Sequence, residues 1–313
     1  MSDNVIEISN LKKYFKDTKA LDGVSFNVKS GIIFGMLGPN GAGKTTTIET
    51  LTGLYERDSG NVNVLGLDPE KNLKKLQKKI GVQLQSPSLF PRLKVIEILN
   101  MFGSFYQDSL KVDEVLKQVG LEEKKDEWVK KLSGGQKHRL AVGLAMISNG
   151  EIIFLDEPTT GLDPQARINL WDVINELKTQ GKTVFLTTHY MDEAEKLCDD
   201  LVIIDKGKII AQGSPESLIN EFFKDKIIEF KDRDFDDKFK EEIIETIDHK
   251  KISFKEKDGK VLIYSGNIQR SLKSLFQLFE KRNLELDDVL IRKATLEDVF
   301  LKLTGRVYND ENL

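Results

Sequence analysis

The 313-residue sequence predicts an α/β fold with a mostly parallel core sheet, followed by a small α+β module. Three observations carry this. Continuously apolar runs at Ile32–Leu37, Ile152–Leu155 and Val184–Leu186 read as strands buried on both faces, as in a parallel sheet. Helix-period stretches alternate with them, the pattern of strand–helix–strand units. Composition then changes near residue 220: all seven prolines lie between Pro39 and Pro215, while 40 of the 93 residues from 221 to 313 are charged. A loss of turn residues with a rise in charge marks a second module.

In chain order, Val24–Val28 and Ile32–Leu37 are expected strands, and Lys44–Thr52 an expected helix. A strand at Ile80–Leu84 leads into a region, about 86–148, that is nearly all helix-period, with helices at Val95–Tyr106 and Ser133–Ser148. This reads as a helical subdomain inserted into the sheet. Strand Glu151–Leu155, helix Pro164–Thr179, and strands Thr183–Thr187 and Leu201–Asp205 complete a first domain over 1–220.

The module over 221–313 reads as strand Lys226–Lys231, helix Asp237–Ile247, and strands Lys251–Lys257 and Lys260–Tyr264 joined at Asp258-Gly259. That dipeptide is a strong hairpin signal. Helix Ser271–Arg282, strand Glu285–Ile291 and helix Thr295–Leu303 follow. The order βαββαβ matches a ferredoxin-like sandwich with one extra helix, and nine phenylalanines from Phe222 to Phe300 can fill its core.

Composition also excludes. The longest stretch without a charged side chain, Ser30–Gly43, is 14 residues, short of the roughly 20 that a spanning helix needs. The opening Met-Ser-Asp-Asn-Val-Ile-Glu has neither a basic n-region nor an apolar h-region, so no secretory signal is expected. A single cysteine, Cys198, rules out an internal disulfide and any multi-cysteine metal site. The net charge of −4 disfavours nucleic acid, whose phosphates call for a surplus of Lys and Arg. The expectation is a soluble protein of a reducing compartment.

The chemistry gathers in four short motifs. Gly38-Pro39-Asn40-Gly41-Ala42-Gly43-Lys44-Thr45 fits G-x-x-x-x-G-K-[ST], with an apolar strand leading in and a helix, beginning with Lys44-Thr45-Thr46, leading out. Glycines let the backbone aim its N–H groups at an anion, and the helix N-terminus adds positive potential. Lys44 should reach the β- and γ-phosphates, and Thr45 should place its hydroxyl on Mg²⁺. The apolar run Ile152–Leu155 ends in Asp156-Glu157, at the carboxyl end of a strand where α/β folds bind ligands. Asp156 suits the Mg²⁺ shell and Glu157 the polarisation of an attacking water. Leu132-Ser133-Gly134-Gly135-Gln136 opens a helix with a Ser N-cap and two glycines, a second anion cradle. His189 follows the apolar strand at Thr183–Thr187.

With Gly161-Leu162-Asp163, these motifs stand in the order and spacing of ATP-binding cassette (ABC) ATPases, which residues 5–220 resemble. The resemblance implies ATP with Mg²⁺, and a head-to-tail homodimer in which each ATP lies between the Gly38–Thr46 loop of one subunit and Ser133–Gln136 of the other. It makes Glu157 the catalytic glutamate and His189 the switch histidine that senses the γ-phosphate. Gln85, favoured over Gln83 because Ser86–Pro91 fits better after it, becomes the glutamine linking Mg²⁺ and water to the helical subdomain. Asp163 falls in the loop that crosses the dimer interface. Tyr14 resembles the aromatic that stacks on adenine, with neighbouring Phe15 able to serve instead. His138 and His249 match no motif position and read as surface or hydrogen-bonded residues.

Two cassettes or a long coiled coil mark the ribosomal and DNA-directed relatives. This chain has one cassette, and Asp156 lies 111 positions after Thr45, which favours a transporter subunit with a separate transmembrane permease. A soluble ABC ATPase acting on DNA or ribosomes, or a nucleotide switch, is the alternative. Ala294–Gly305 resembles the C-terminal signature of drug and polysaccharide exporters. An importer with a regulatory C-terminal domain remains open. The subunit is expected in the cytoplasm, at the inner face of the membrane, held there only through its partner. Some of Leu89, Phe90, Ile96, Leu99, Met101 and Phe102 are expected to exceed what the helical subdomain buries and to form a docking groove.

Overall fold

A computed structural model describes residues 3–85, 89–231, 235–247, 252–255, 259–286 and 288–305. The chain divides into two compact units, Met1–Pro215 and Glu216–Leu313.

The first unit opens with β1 (Asn4–Phe15) and β2 (Thr18–Lys29), then β3 (Ile33–Leu37), α1 (Lys44–Leu51), β4 (Ser59–Val64), α2 (Leu73–Leu76) and β5 (Ile80–Gln83). Helices α3 (Val95–Gly103), α4 (Val112–Gln118) and α5 (Gly134–Met146) form the helical part. Then come β6 (Ile152–Asp156), α6 (Pro164–Thr179), β7 (Thr183–Thr188), α7 (Met191–Leu197), β8 (Asp200–Asp205) and β9 (Lys208–Gly213). Helix α8 (Pro215–Phe222) spans the unit boundary.

A six-stranded sheet runs β5-β6-β7-β3-β8-β9, parallel except for the antiparallel edge strand β9. Every residue of β3, β6 and β7 is buried, as the apolar runs at Ile33–Leu37, Ile152–Leu155 and Val184–Leu186 require. A second sheet, β2-β1-β4, is wholly antiparallel. Sequence reading found only Val24–Val28 of it. The reason is physical: β1 is half-buried and polar on one side, and its pairing with β2 shifts register four times, between Asn4 and Ile6, Ile8 and Leu11, Leu11 and Lys12, and Lys13 and Tyr14. A bulged strand loses the strict period of two. The two sheets meet through Phe26 of β2, whose ring lies 5.3 Å from Phe34 of β3, with Phe185 of β7 5.6 Å from Phe34 and 5.6 Å from Phe154 of β6.

Helix α5 carries Gly143 where a Cβ would meet Val115 and Val119, so α4 packs closely on it. Leu99 is buried in α3, Ile96, Met101 and Phe102 are half-buried, and Phe90 is exposed. A cleft of about 560 Å³ opens beside β5, lined by Leu54, Leu84, Phe102, Phe105 and Tyr106 with Lys74 and Lys78. No helix among the described residues is long and apolar enough to cross a membrane.

The second unit contains β10 (Lys226–Lys231), α9 (Asp237–Thr246), β11 (Ile252–Lys255), β12 (Lys260–Ser265), α10 (Ile268–Lys281), β13 (Leu290–Arg292) and α11 (Leu296–Thr304). Its four strands are antiparallel in the order β11-β12-β10-β13. Ile228, Phe230, Val261 and Ile263 pack against Phe239, Ile243, Leu275 and Phe279 of α9 and α10. Helix α10 starts three residues before the expected Ser271, capped by Asn267, whose Oδ1 accepts the Arg270 amide at 3.1 Å. The strand expected over Glu285–Ile291 shrinks to Leu290–Arg292, because Asp288 turns to φ 52° and breaks extension. Lys251, Glu256, Lys257 and the Asp258 of the expected hairpin lie outside the described residues, as do Ser86–Ser88, Asp287 and His249.

Candidate active site

The cradle forms where β3 ends. Gly43 is the N-cap of α1 with φ 110°, and a Cβ there would stand 2.4 Å from the Ala20 carbonyl oxygen. Only glycine fits. Gly38 donates its amide to Thr188 O at 3.2 Å, and Ala42 closes a turn onto Pro39 O at 3.2 Å. Asn40 and Gly41 are exposed, and no acidic residue occupies the first turn of α1, so its N-terminal amides keep their positive potential. A chamber of about 460 Å³ sits over the cradle, lined by Asn40, Gly41, Gly43, Lys44, Thr45 and Thr46, and by Phe15, Gln85 and Glu157 from other segments.

Lys44 is buried, and its ammonium meets Gly38 O at 2.8 Å, Pro39 O at 3.1 Å and Glu157 Oε1 at 2.9 Å. All three of its donors are therefore used. Glu157, directly after β6, is buried and takes φ 47°, a conformation that L side chains rarely adopt. Strain of this kind, about 1–3 kcal/mol, persists where the surroundings over-determine it, and it clusters at functional sites. The surroundings here are dense. The Glu157 amide donates to Thr187 Oγ1 at 3.0 Å; its Oε2 contacts His189 Nδ1 at 3.1 Å and accepts from Gln85 Nε2 at 3.3 Å and Thr160 Oγ1 at 3.2 Å. Burial pushes the Glu157 carboxyl up, but the His189 contact and the Lys44 charge outweigh it and hold it at about 2.

Asp156 is fully buried at the end of β6. Burial raises its carboxyl, and contacts with the Thr187 and Thr45 hydroxyls oppose this. Its Oδ2 is buried without a hydrogen-bond partner. An orphaned carboxylate oxygen beside a threonine hydroxyl, at the mouth of a phosphate cradle, suits a hard cation that takes oxygen ligands and keeps water and phosphate for the rest. Among the described residues no group of three or more His, Cys, Asp or Glu could hold a metal alone, which a Mg²⁺ carried in with phosphate does not need.

The two candidate aromatics take different places. The Tyr14 hydroxyl donates to Asp22 Oδ1 at 3.0 Å, and the ring does not line the chamber; Phe15 does, packed edge-on against Tyr55 at 5.3 Å. A register shift falls between Lys13 and Tyr14, so strand parity could not decide between the two. Gln83, the other glutamine, is buried in β5.

Ser133 caps α5 reciprocally: its Oγ accepts the Gln136 amide at 3.3 Å, and Gln136 Oε1 accepts the Ser133 amide at 3.0 Å. Ser133 and Gly134 are exposed, and a Cβ on Gly134 would meet nothing within 4 Å, whereas one on Gly135 would approach Ala166 at 3.0 Å. Asp163, also exposed, caps α6 by accepting the Ala166 amide at 2.9 Å. None of Ser133–Gln136 or Asp163 lines the chamber over this chain's own cradle. Sequence reading missed Thr160, Thr187 and the bond from His138 Nδ1 to Pro158 O at 2.7 Å. The two polar residues closing the apolar strand Val184–Leu186 were the available signal for Thr187.

The chain that gathers this lysine, these carboxylates and this histidine, and that separately carries a capped serine–glycine turn, is similar to known proteins over nearly its whole length. The ABC transporter family matches residues 21–160. The Nod factor export ATP-binding protein I of Burkholderia lata is 38% identical over 97% of this chain and 98% of its own length. The chain belongs to the ABC transporter ATP-binding family. The linearmycin resistance ATP-binding protein LnrL of Bacillus subtilis is 34% identical over 98% of this chain and 100% of its own length. Among solved structures, cbiO1 of Clostridium perfringens, part of the ABC transporter complex cbiONQ, is 30% identical with a TM-score of 0.63, covering 71% of this chain and 92% of its own. The ABC cassette MJ0796, whose structure is dimeric, is 27% identical with a TM-score of 0.59, covering 67% of this chain and 98% of its own. As an ABC cassette, the chain is an ATPase coupled to transport.

Proposed function

We propose that this subunit hydrolyses ATP as a head-to-tail homodimer and thereby drives export through a separate transmembrane permease at the inner face of the cell membrane. The observation that carries hydrolysis is the convergence of Lys44, His189 and Gln85 on the Glu157 carboxylate. Two copies are favoured because the exposed Ser133–Gln136 turn and Asp163 do not line their own chamber, so a second copy must present them to it. Export is favoured because relatives named for Nod factor export and linearmycin resistance align over the tail as well as the cassette. The cleft lined by Leu84, Phe102 and Phe105, the last 69% exposed, is the place for a permease element, which supplies the membrane contact. Net acidity still disfavours nucleic acid as the partner.

Within this reading Phe15 is the adenine platform and the Gly41–Thr46 amides hold the phosphates. Thr45 Oγ1 and Asp156 Oδ2 would hold Mg²⁺, which supplies charge neutralisation on the phosphates. Lys44 exchanges Glu157 for the β- and γ-phosphates. The His189 contact and, after it, the Lys44 charge hold the Glu157 carboxyl at about 2, so withdrawing Lys44 lifts part of that depression and nucleotide binding itself strengthens the base. Glu157 then takes the proton of the attacking water, and His189 orients the γ-phosphate. The second unit is proposed as a ferredoxin-like domain of about 221–313 appended to a cassette of 1–220, supported by its strand order β11-β12-β10-β13.

The test is Glu157→Gln. Nucleotide affinity is expected to persist while turnover falls about 100-fold or more through loss of the base. ATP should then accumulate a dimer on a sizing column, and near-normal turnover would sink the role.

A further inference from the structure

One buried carboxyl stands outside this chemistry. Glu193, in α7, is fully buried, and its Oε1 accepts the Trp171 indole N–H at 2.9 Å. The Thr188 and Thr159 hydroxyls lie within reach of the same group and draw its acidity back down against burial. Yet Glu193 Oε2 and Thr159 Oγ1 are both buried without a hydrogen-bond partner. A buried polar group left half-satisfied is costly, and an apolar residue would fill the same space more cheaply.

The positions of these groups give the carboxyl a task. Thr188 precedes His189, Thr159 lies two residues past Glu157, and Trp171 belongs to α6, which Asp163 caps. One carboxyl therefore reaches three segments, each bearing a residue of the proposed site. The Thr159 hydroxyl already acts on the Glu193 carboxyl, and each group keeps a buried oxygen without a hydrogen-bond partner. A small shift of the turn that carries Glu157 can therefore bring them into a full bond, as catalytic contacts often tighten only in the reacting complex.

We propose that Glu193 is a positioning residue: through Thr159, Thr188 and Trp171 it locks the Glu157 turn against the strand that ends at His189 when the site closes for hydrolysis. This rests on Glu157 being the base.

The test uses the full-length chain with E193L, which keeps volume and removes the polar atoms, E193Q, which can still accept from Trp171 and pair with Thr159, and the isosteric T159V. E193L and T159V are each expected to lower kcat about tenfold, since small misplacements of reacting groups are that expensive. Affinity for trinitrophenyl-ATP should stay within about twofold, because the cradle amides are untouched. E193Q should restore kcat to within about threefold. The double variant E193L/T159V should lose about the same tenfold as either alone, the mark of one shared contact. Wild-type kcat in E193L, losses that multiply to about a hundredfold, or affinity falling in step with kcat would each overturn the proposal. Should E193L fail to fold, T159V and E193Q decide it alone. Measuring E157Q alongside separates the two readings: normal turnover there removes the base but leaves the coupling between Thr159 and Glu193 as measured.

Discussion

Glu157 is where single residues matter most. Its carboxyl sits near 2 instead of 4.5, so it contributes stability that is fully present above pH 4.5 and lost as pH falls towards 2. The melting temperatures of wild type and Glu157→Gln are therefore expected to converge as pH drops through that window, while remaining apart at neutral pH. A gap that does not narrow would mean the carboxylate is not held by Lys44 and His189 in solution. Ser133→Arg, at the exposed N-cap of α5, should abolish turnover while each subunit still binds nucleotide, because the cradle over which Ser133 is proposed to close belongs to the other copy. Loss of nucleotide binding in that variant would place Ser133 in its own site instead. The convergence of Lys44, Asp156, Glu157 and His189 was legible from sequence because motif spacing and a flanking apolar strand fix where each falls. Thr187 and Thr160 were not. Their hydroxyls reach Asp156 and Glu157 across a strand pair or a left-handed turn, and neither relation is written in local sequence.

At the scale of elements, the apolar strands and well-capped helices read clearly, helix α6 to the residue. Its start is marked by Asp163 and Pro164, an N-cap followed by proline in the first turn. Strands β1 and β4 escaped because half-buried, bulged strands carry neither a continuous apolar run nor a clean alternation. Two predictions belong here. Phe185→Ala should cost about 3–5 kcal/mol by denaturant midpoint, since its fully buried ring bridges Phe26, Phe34 and Phe154. In the tail, Asp298 accepts from the Thr295 amide at 2.9 Å and pairs with Arg292 at 2.6 Å, while Arg292 also holds Glu229 at 2.9 Å. Burial raises the Asp298 carboxyl, and Arg292 more than reverses it. Asp298→Ala removes a cap and a buried ion-pair partner together, and should destabilise the second unit by about 2 kcal/mol or more. A change of a few tenths would mean that Arg292 is satisfied by Glu229 alone.

At the scale of the whole molecule, the second unit has its own core around Phe230, Phe239 and Phe279. A fragment from Glu216 onward is expected to show helical circular dichroism and a cooperative melt, and a featureless spectrum would refute independent folding. In the first unit, the cradle follows β3, the carboxylates end β6 and the histidine follows β7, and these three strands lie side by side in the sheet as β6-β7-β3. Residues more than a hundred positions apart are thus brought within two strand spacings, roughly 10 Å. Hydrogen exchange at the amides of these strands should be the slowest in the chain, because opening them means opening the centre of the core. The groups proposed to react are therefore mounted on neighbouring strands at the centre of the sheet. Whatever motion transport demands has to be made by the pieces hung around that mount, and each stroke returns the chemistry to the same place.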